Sequence, residues 1–282
     1  MPESPEVQEA ARFLDERSAG RTIVSIDVVL PKALKTAPES VAGLVGAQIA
    51  RVGRIAKMLD VELTSPGNGI RHVVIHFGHD GWVLWHDSAP ADLKRSGPAT
   101  LMARVRLDDG SGFDLTDAGQ WKALTIHVVD DPRDVPAVAK LGPDPAAPEF
   151  TQAQFARILG GRRKQLKALL QEQTALAGIG NAYSDEILHA ARLSPVVHAA
   201  LLTDDEVARL YGHTRAVLAE ATTARRGIPL AELRAAKRAA LRIHRRPGER
   251  CPVCGDVIAE FTYSGAAAQY CPTCQTGGAS LA

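Results

Sequence analysis

Between residues 5 and 18 the apolar positions Val7, Ala10, Ala11 and Leu14 recur at helical spacing, and Gly20 follows as a stop signal. The period then changes. Short β-rich runs follow: TIVSIDVVL at 22–30, RHVVIHFG at 71–78, GWVLWH at 81–86, ARVRLDDG at 103–110 and ALTIHVV at 123–129. Gly, Asp and Pro punctuate them, as turns require. One helix followed by many short strands predicts a β-sandwich or barrel with the helix attached. LGPDPAAPEF at 141–150, with Pro143, Pro145 and Pro148, reads as a linker, and helical periodicity follows it. Residues 151–173, carrying Phe155, Ile158, Leu166, Leu169 and Leu170, read as one helix, and 182–192 as another. Thr203-Asp-Asp-Glu206 is a capping box for a third, running toward Ala224. A fourth, strongly basic helix is expected over 229–243. The class is therefore α+β and multi-domain.

Composition agrees with a soluble globular chain: 282 residues, 45% hydrophobic and 23% charged, with no repeat or low-complexity segment. The formal net charge of +1 argues against a polyanion binder until it is divided along the chain. Residues 1–150 hold 16 basic and 21 acidic residues, a net of −5, whereas 151–250 hold 17 and 9, a net of +8. Residues 251–282 have no Lys or Arg and two acids. A local basic excess is what a phosphate backbone responds to. The first twenty residues lack the basic start and apolar stretch of a leader, and no run approaches the roughly 18 apolar residues of a membrane span. A cytoplasmic protein with no membrane association is expected.

Four cysteines, all within 251–274, carry the clearest chemistry. Cys251-Pro-Val-Cys254 and Cys271-Pro-Thr-Cys274 are separated by sixteen residues, the length of a hairpin. Two redox pairs or free thiols would not explain two matched pairs at ribbon spacing. Four thiolates around one Zn2+ would form a closed, structural site.

Ala177-Gly178-Ile179-Gly180-Asn181 lies between two helical patterns. Such a turn lets a backbone approach a phosphate at a helix N-terminus, with Asn181 capping the helix or donating to the phosphate. It also suits a plain helix–helix corner. Arg162, Arg163, Lys164 and Lys167 precede it, and Arg225, Arg226, Arg234, Lys237, Arg238, Arg242, Arg245 and Arg246 follow. Flanking the turn and leading into a metal ribbon, they favour nucleic acid over a merely solvated face. The chain opens Met-Pro-Glu-Ser-Pro-Glu-Val. Removal of Met1 would leave a secondary amine on Pro2, partly unprotonated near neutral pH because an α-amine titrates at about 7.7–8. Glu3 would stand beside it and Glu6 one turn further on, although a capped helix start explains Pro and Glu equally well.

Together these residues resemble the formamidopyrimidine-DNA glycosylase / endonuclease VIII family, in order and over nearly the whole chain. MPESPEV is similar to that family's start, and GRIAKMLDVEL to its strand bearing a DNA-contacting lysine, here Lys57. KLGPDP at 140–145 resembles its interdomain linker, QTALAGIGNAYSDEIL at 173–188 its helix-two-turn-helix, and the four-cysteine finger its ending. The resemblance implies a catalytic β-sandwich domain at 1–140, a helix-two-turn-helix DNA-binding domain at 141–248 and a zinc finger at 249–282. It implies a bacterial base-excision repair enzyme, monomeric and nucleoid-associated when bound to damaged double-stranded DNA. The Pro2 amine would attack C1′ of the damaged nucleotide and Glu3 would protonate the sugar ring oxygen. Strand elimination would follow, with Glu6 in support. Lys57, Gly178, Gly180 and Asn181 would hold phosphates.

The chain also departs from the family. The arginine normally found at the finger's hairpin tip is replaced by Ala266, leaving Gln269 or Ser264 as weaker donors. The segment usually read Asp-Pro-Arg-Arg-Phe is Asp117-Ala-Gly-Gln120-Trp121, and the usual methionine wedge is His79. Trp121, Gln120 and His79 would fill the gap left in the duplex. Residues 226–243 read as helical, without the glycine-rich loop that covers an oxidised purine. The missing finger arginine keeps a second reading open, a non-cleaving or lyase-only binder of abasic or distorted DNA.

Overall fold

The computed structural model describes residues 1–65, 69–93, 99–263 and 265–281. Ser264 lies outside them. Two compact units are present: residues 1–140 with 225–234, and 141–224 with 235–282.

The first unit begins with helix α1 (Ser4–Ser18), whose buried stripe is Val7, Ala10, Ala11 and Leu14. Then come β1 (Ile23–Val28), a one-turn helix α2 (Glu39–Ala42), β2 (Gln48–Ile55), β3 (Met58–Ser65) and β4 (Gly69–His76). β5 (Gly81–His86), β6 (Thr100–Leu107), β7 (Gly112–Asp117), β8 (Thr125–Val129) and the short α3 (Pro136–Ala139) complete it. Two four-stranded sheets form, ordered β1-β6-β7-β5 and β2-β3-β4-β8. Their inward residues, among them Ile23, Val105, Leu115, Ile49, Val61 and Ile126, join α1 in one apolar core. Burying these side chains contributes roughly 1.5–3 kcal/mol each.

Three strands, β2, β3 and β7, are not among the β-rich runs read from the sequence, although LDVEL in β3 and FDLT in β7 do alternate. β2 carries Arg51 and Arg54 and is bulged between Ile49 and Arg51, which shifts its period. β3 is buried along most of its length. β7 buries Asp114, which is acceptable only because Arg104, itself fully buried, donates to both its carboxylate oxygens at 2.6 and 2.7 Å.

The second unit holds α4 (Gln152–Leu159), α5 (Leu166–Gln171), α6 (Asn181–Ala190), α7 (Asp204–Arg225, its last residue in the first unit) and α8 (Leu233–Ala240, from Ala235 onward). A hairpin of β9 (Ala259–Tyr263) and β10 (Ala266–Tyr270) and the short α9 (Pro272–Thr276) follow. The single helix expected over 151–173 is two. Gly161, at φ 69°, stops α4. Residues 162–165 then pair with 198–200 through Ala199 N to Lys164 O and Ala200 N to Arg162 O. The Thr203–Glu206 capping box forms, with Glu206 N donating to Thr203 Oγ1.

The expected helix over 226–243 shortens to α8. Residues 226–232 instead lie against the first unit's core, which they enter through Leu230, and Leu233 follows them there. The indole Nε1 of Trp82 donates to Leu230 O at 2.8 Å. Segment 225–234 is grouped with the first unit by its contacts. Among the described residues no helix is long and apolar enough to cross a membrane.

Candidate active site and nucleic-acid interface

In the first unit, Glu3 is the N-cap of α1, and its N–H donates to the Glu6 carboxylate at 3.1 Å. Glu3, Glu6 and Pro2 are all buried, whereas Met1 is 42% exposed. Glu3 and Glu6 thus close a capping box at the chain start. Glu6 Oε1 faces Arg225 Nε at 3.4 Å, and Gly227 N donates to Glu9 Oε1 at 2.8 Å. Segment 225–227 therefore grips α1 one turn apart. Arg225, read from sequence as part of an exposed basic run, is 2% exposed. Nothing in its sequence surroundings separates it from Arg226.

Lys57 occupies the β2–β3 turn, after Ala56 in a left-handed conformation (φ 52°), and is largely buried. His76, at the end of β4, has its imidazole pKa lowered by burial first and then by the charges of Lys57, His79 and His127. Its Nδ1 accepts from Gly78 N at 3.1 Å, the bond a neutral ring makes.

His79, Gln120 and Trp121 stand on adjoining loops. Gly78 is at φ 59°, and a Cβ there would come within 2.8 Å of the Ala123 backbone, so glycine lets the two loops meet. Asp117 shapes the second loop, accepting from Gly119 N at 2.7 Å and Leu124 N at 3.0 Å. Arg234 braces the first, donating to Asp80 O and Gly81 O at 2.8 and 2.7 Å and lying over the Trp82 ring. His79 and Gln120 are exposed, and Trp121 is 80% exposed. Lys32 holds the Trp121 carbonyl at 3.2 Å. A large aromatic on a fixed loop tip, outside any core, is available for stacking.

In the second unit, Gln173 ties the glycine turn together. Its amide donates to Ile179 O at 2.8 Å and its oxygen accepts from Gly178 N at 3.0 Å. Gly178 adopts φ 97°, and Gly180, not Asn181, is the N-cap of α6. The Asn181 amide donates to Ala267 O in the finger hairpin at 2.9 Å, and its oxygen accepts from Gln171 at 3.2 Å.

Lys167 is buried, not part of a basic face: its ammonium lies 2.5 Å from Asp185, whose other oxygen meets His244 Nδ1 at 2.7 Å. Glu186 accepts from the backbone N–H groups of Arg242, Ile243 and His244 at 2.9–3.0 Å, fixing the approach to the finger. Gln269 is 2% exposed and bonded to Glu260 and Arg245 N. It is committed inside the finger, not free as a surface donor.

The four cysteine sulfurs lie within 4.8 Å of one another, with Cys251–Cys274 at 3.9 Å and Cys254–Cys271 at 3.4 Å. A tetrahedron of ligands about 2.3 Å from one metal has edges near these values. The N–H of Asp256 lowers the Cys254 thiol, whereas burial pushes Cys271 up to about 11 and Cys274 higher still. Four thiolates therefore coexist there only around a cation. His189 Nε2 lies 3.2 Å from Cys251 Sγ, positioned to orient a ligand from outside. These residues can hold a metal ion.

A sandwich unit with a carboxylate-flanked chain start, and a helical unit with a glycine turn and a four-cysteine finger, define a class of two-unit, cysteine-finger proteins. Residues 1–123 match the formamidopyrimidine-DNA glycosylase N-terminal domain, and 141–230 the formamidopyrimidine-DNA glycosylase H2TH domain. The chain is 33% identical to the formamidopyrimidine-DNA glycosylase of Chloroflexus aurantiacus, over 98% of both chains. It is 34% identical to that of Heliobacterium modesticaldum, over 98% of this chain and 100% of the relative. Among solved structures, Lactococcus lactis Fpg in complex with abasic-site DNA superposes with a TM-score of 0.84 at 26% identity, over 97% of this chain and 99% of that one. The chain belongs to the formamidopyrimidine-DNA glycosylase / endonuclease VIII family.

Proposed function

We propose that this protein is a DNA repair glycosylase with abasic-site lyase activity, acting on damaged double-stranded DNA as a monomer. The observation that carries the reading is the chain start. Pro2 precedes a buried Glu3 in a closed capping box, so an amine freed by loss of Met1 would be held beside a carboxylate on a rigid helix end. In this reading the amine lone pair bonds to C1′ as the bond to the damaged base breaks, and the amine's N–H proton leaves with the departing base. Glu3 gives a proton to the ring oxygen, the sugar opens to an iminium, and loss of a C2′ proton expels the 3′ phosphate. Lys57 and Asn181 hold flanking phosphates, with Gly178 and Gly180 letting the backbone approach. Trp121, Gln120 and His79 fill the vacated space in the duplex. Cys251, Cys254, Cys271 and Cys274 would hold a Zn2+ ion that would supply cross-linking alone, since four protein ligands would close its shell.

Borohydride trapping on abasic-site duplex tests the mechanism. A covalent complex is expected with processed protein. Its absence, or its persistence after the Pro2 amine is blocked, rejects the nucleophile. One feature favours the non-cleaving reading, the lack of any Lys or Arg in residues 251–282. Tight binding to the abasic duplex without trapping would establish it.

A further inference from the structure

The finger offers a polyanion no cation of its own: residues 251–282 contain Asp256 and Glu260 and neither Lys nor Arg. Its hairpin is nevertheless tied to one. Gln269 Oε1, on β10, accepts from Arg245 N at 3.0 Å, while Gln269 Nε2 donates to Glu260 at 2.7 Å. Two residues earlier, Ala267 O accepts from Asn181 Nδ2. At roughly 3.4 Å of rise per residue, the anchor points of Asn181 and Arg245 are about 7 Å apart along one strand.

The backbone at Arg245 is unusual. It adopts φ 62°, the left-handed region where a Cβ is strained and where glycine fits without cost. Its side chain is exposed. Among the described residues no carboxylate pairs with it, whereas Arg242 and Arg246 are engaged with Glu220 and Glu249. The fold thus keeps an arginine where glycine would be more stable, and clasps it with a buried glutamine. Backbone strain of this kind persists where the surrounding structure holds it, and it clusters at ligand-binding sites.

We infer that Arg245 contacts a phosphate of the DNA backbone and supplies the cation that the finger hairpin lacks. This rests on the DNA-binding reading above. The guanidinium donates two N–H groups to the phosphate oxygens, next to the site tied to Asn181.

The test compares wild type, Arg245→Gly and Arg245→Lys for binding to a duplex carrying a tetrahydrofuran abasic analogue, across a salt series, with melting temperatures measured alongside. Arg245→Gly is expected to bind about tenfold more weakly at low salt, with its log–log salt slope shallower by about one phosphate contact, while melting at the same or a higher temperature. Arg245→Lys keeps the slope. Unchanged affinity and slope in Arg245→Gly overturns the inference, as does weaker binding accompanied by a lower melting temperature, which would make the arginine structural. Failure of the wild-type protein to bind the duplex overturns the DNA reading itself, and this inference with it.

Discussion

The Glu6 carboxylate lies 3.4 Å from Arg225 Nε, with both side chains only 2% exposed. Glu6 also accepts the N–H of Glu3, so a charge pair buried in the sandwich unit fixes the end of α1 where the proposed chemistry occurs. Taking one partner from a buried pair costs about 3–5 kcal/mol, because the remaining charge keeps its desolvation penalty. Arg225→Met is expected to lose that much stability in denaturant titration. Adding Glu6→Gln should recover part of it, and equal stability of both variants would show that the pair is not coupled.

Glu3→Gln removes the proposed proton donor while keeping its shape. Ring opening, and with it iminium trapping and strand cleavage, is expected to fall by about 10²–10⁴-fold, the usual weight of a general acid. Binding to the abasic duplex should hardly change. Single-turnover assays on a lesion panel measure the first and fluorescence anisotropy the second.

Trp121 contributes little to folding, being 80% exposed on its loop. Trp121→Ala should leave stability within about 0.5 kcal/mol of wild type. Its stacking on a base exposed by the lesion is worth about 1–3 kcal/mol, so affinity for an abasic duplex should drop by that amount. Equal affinity of the two proteins would remove Trp121 from the interface.

Among the described residues, the apolar cluster around the sulfurs holds four buried residues, Ile243, Cys251, Ile258 and Cys271, too few to hold the finger without a cross-link. Cys271→Ser, or a strong chelator, should release one zinc per chain, loosen residues 249–281 to proteolysis and weaken DNA binding. Metal analysis that finds the same zinc content in Cys271→Ser rejects the four-sulfur site.

His76 gives stability a pH dependence. Its folded pKa lies below the ordinary 6.5, through burial and then the charges of Lys57, His79 and His127. Below about 6.5 the unfolded chain therefore binds more protons than the folded one, and stability rises with pH across that window. It is fully present above 6.5 and is lost as pH falls toward the folded value, when protonation of Nδ1 removes the bond from Gly78 N. The melting temperature should fall on acidification from pH 7 to 5, and His76→Gln should flatten that fall. An unchanged profile in His76→Gln would assign the dependence to other groups.

Local chemistry alone made much of this protein legible in its sequence. Helix α1 showed in the spacing of Val7, Ala10, Ala11 and Leu14, and the four-cysteine cluster in two Cys-X-X-Cys pairs, because neighbours along the chain suffice to define both. The Thr203–Glu206 cap was readable for the same reason. Only the tertiary structure could decide which charges are solvated. Arg225, Arg226, Lys164 and Lys167 look alike in sequence, yet Arg225 and Lys167 are buried against Glu6 and Asp185, partners distant along the chain. Likewise the break at Gly161 and the docking of residues 226–232 onto Trp82 depend on what packs beside them. Periodicity records which face of a segment is apolar. It does not record what that face meets, and long-range pairing decides whether a basic residue serves the core or a ligand.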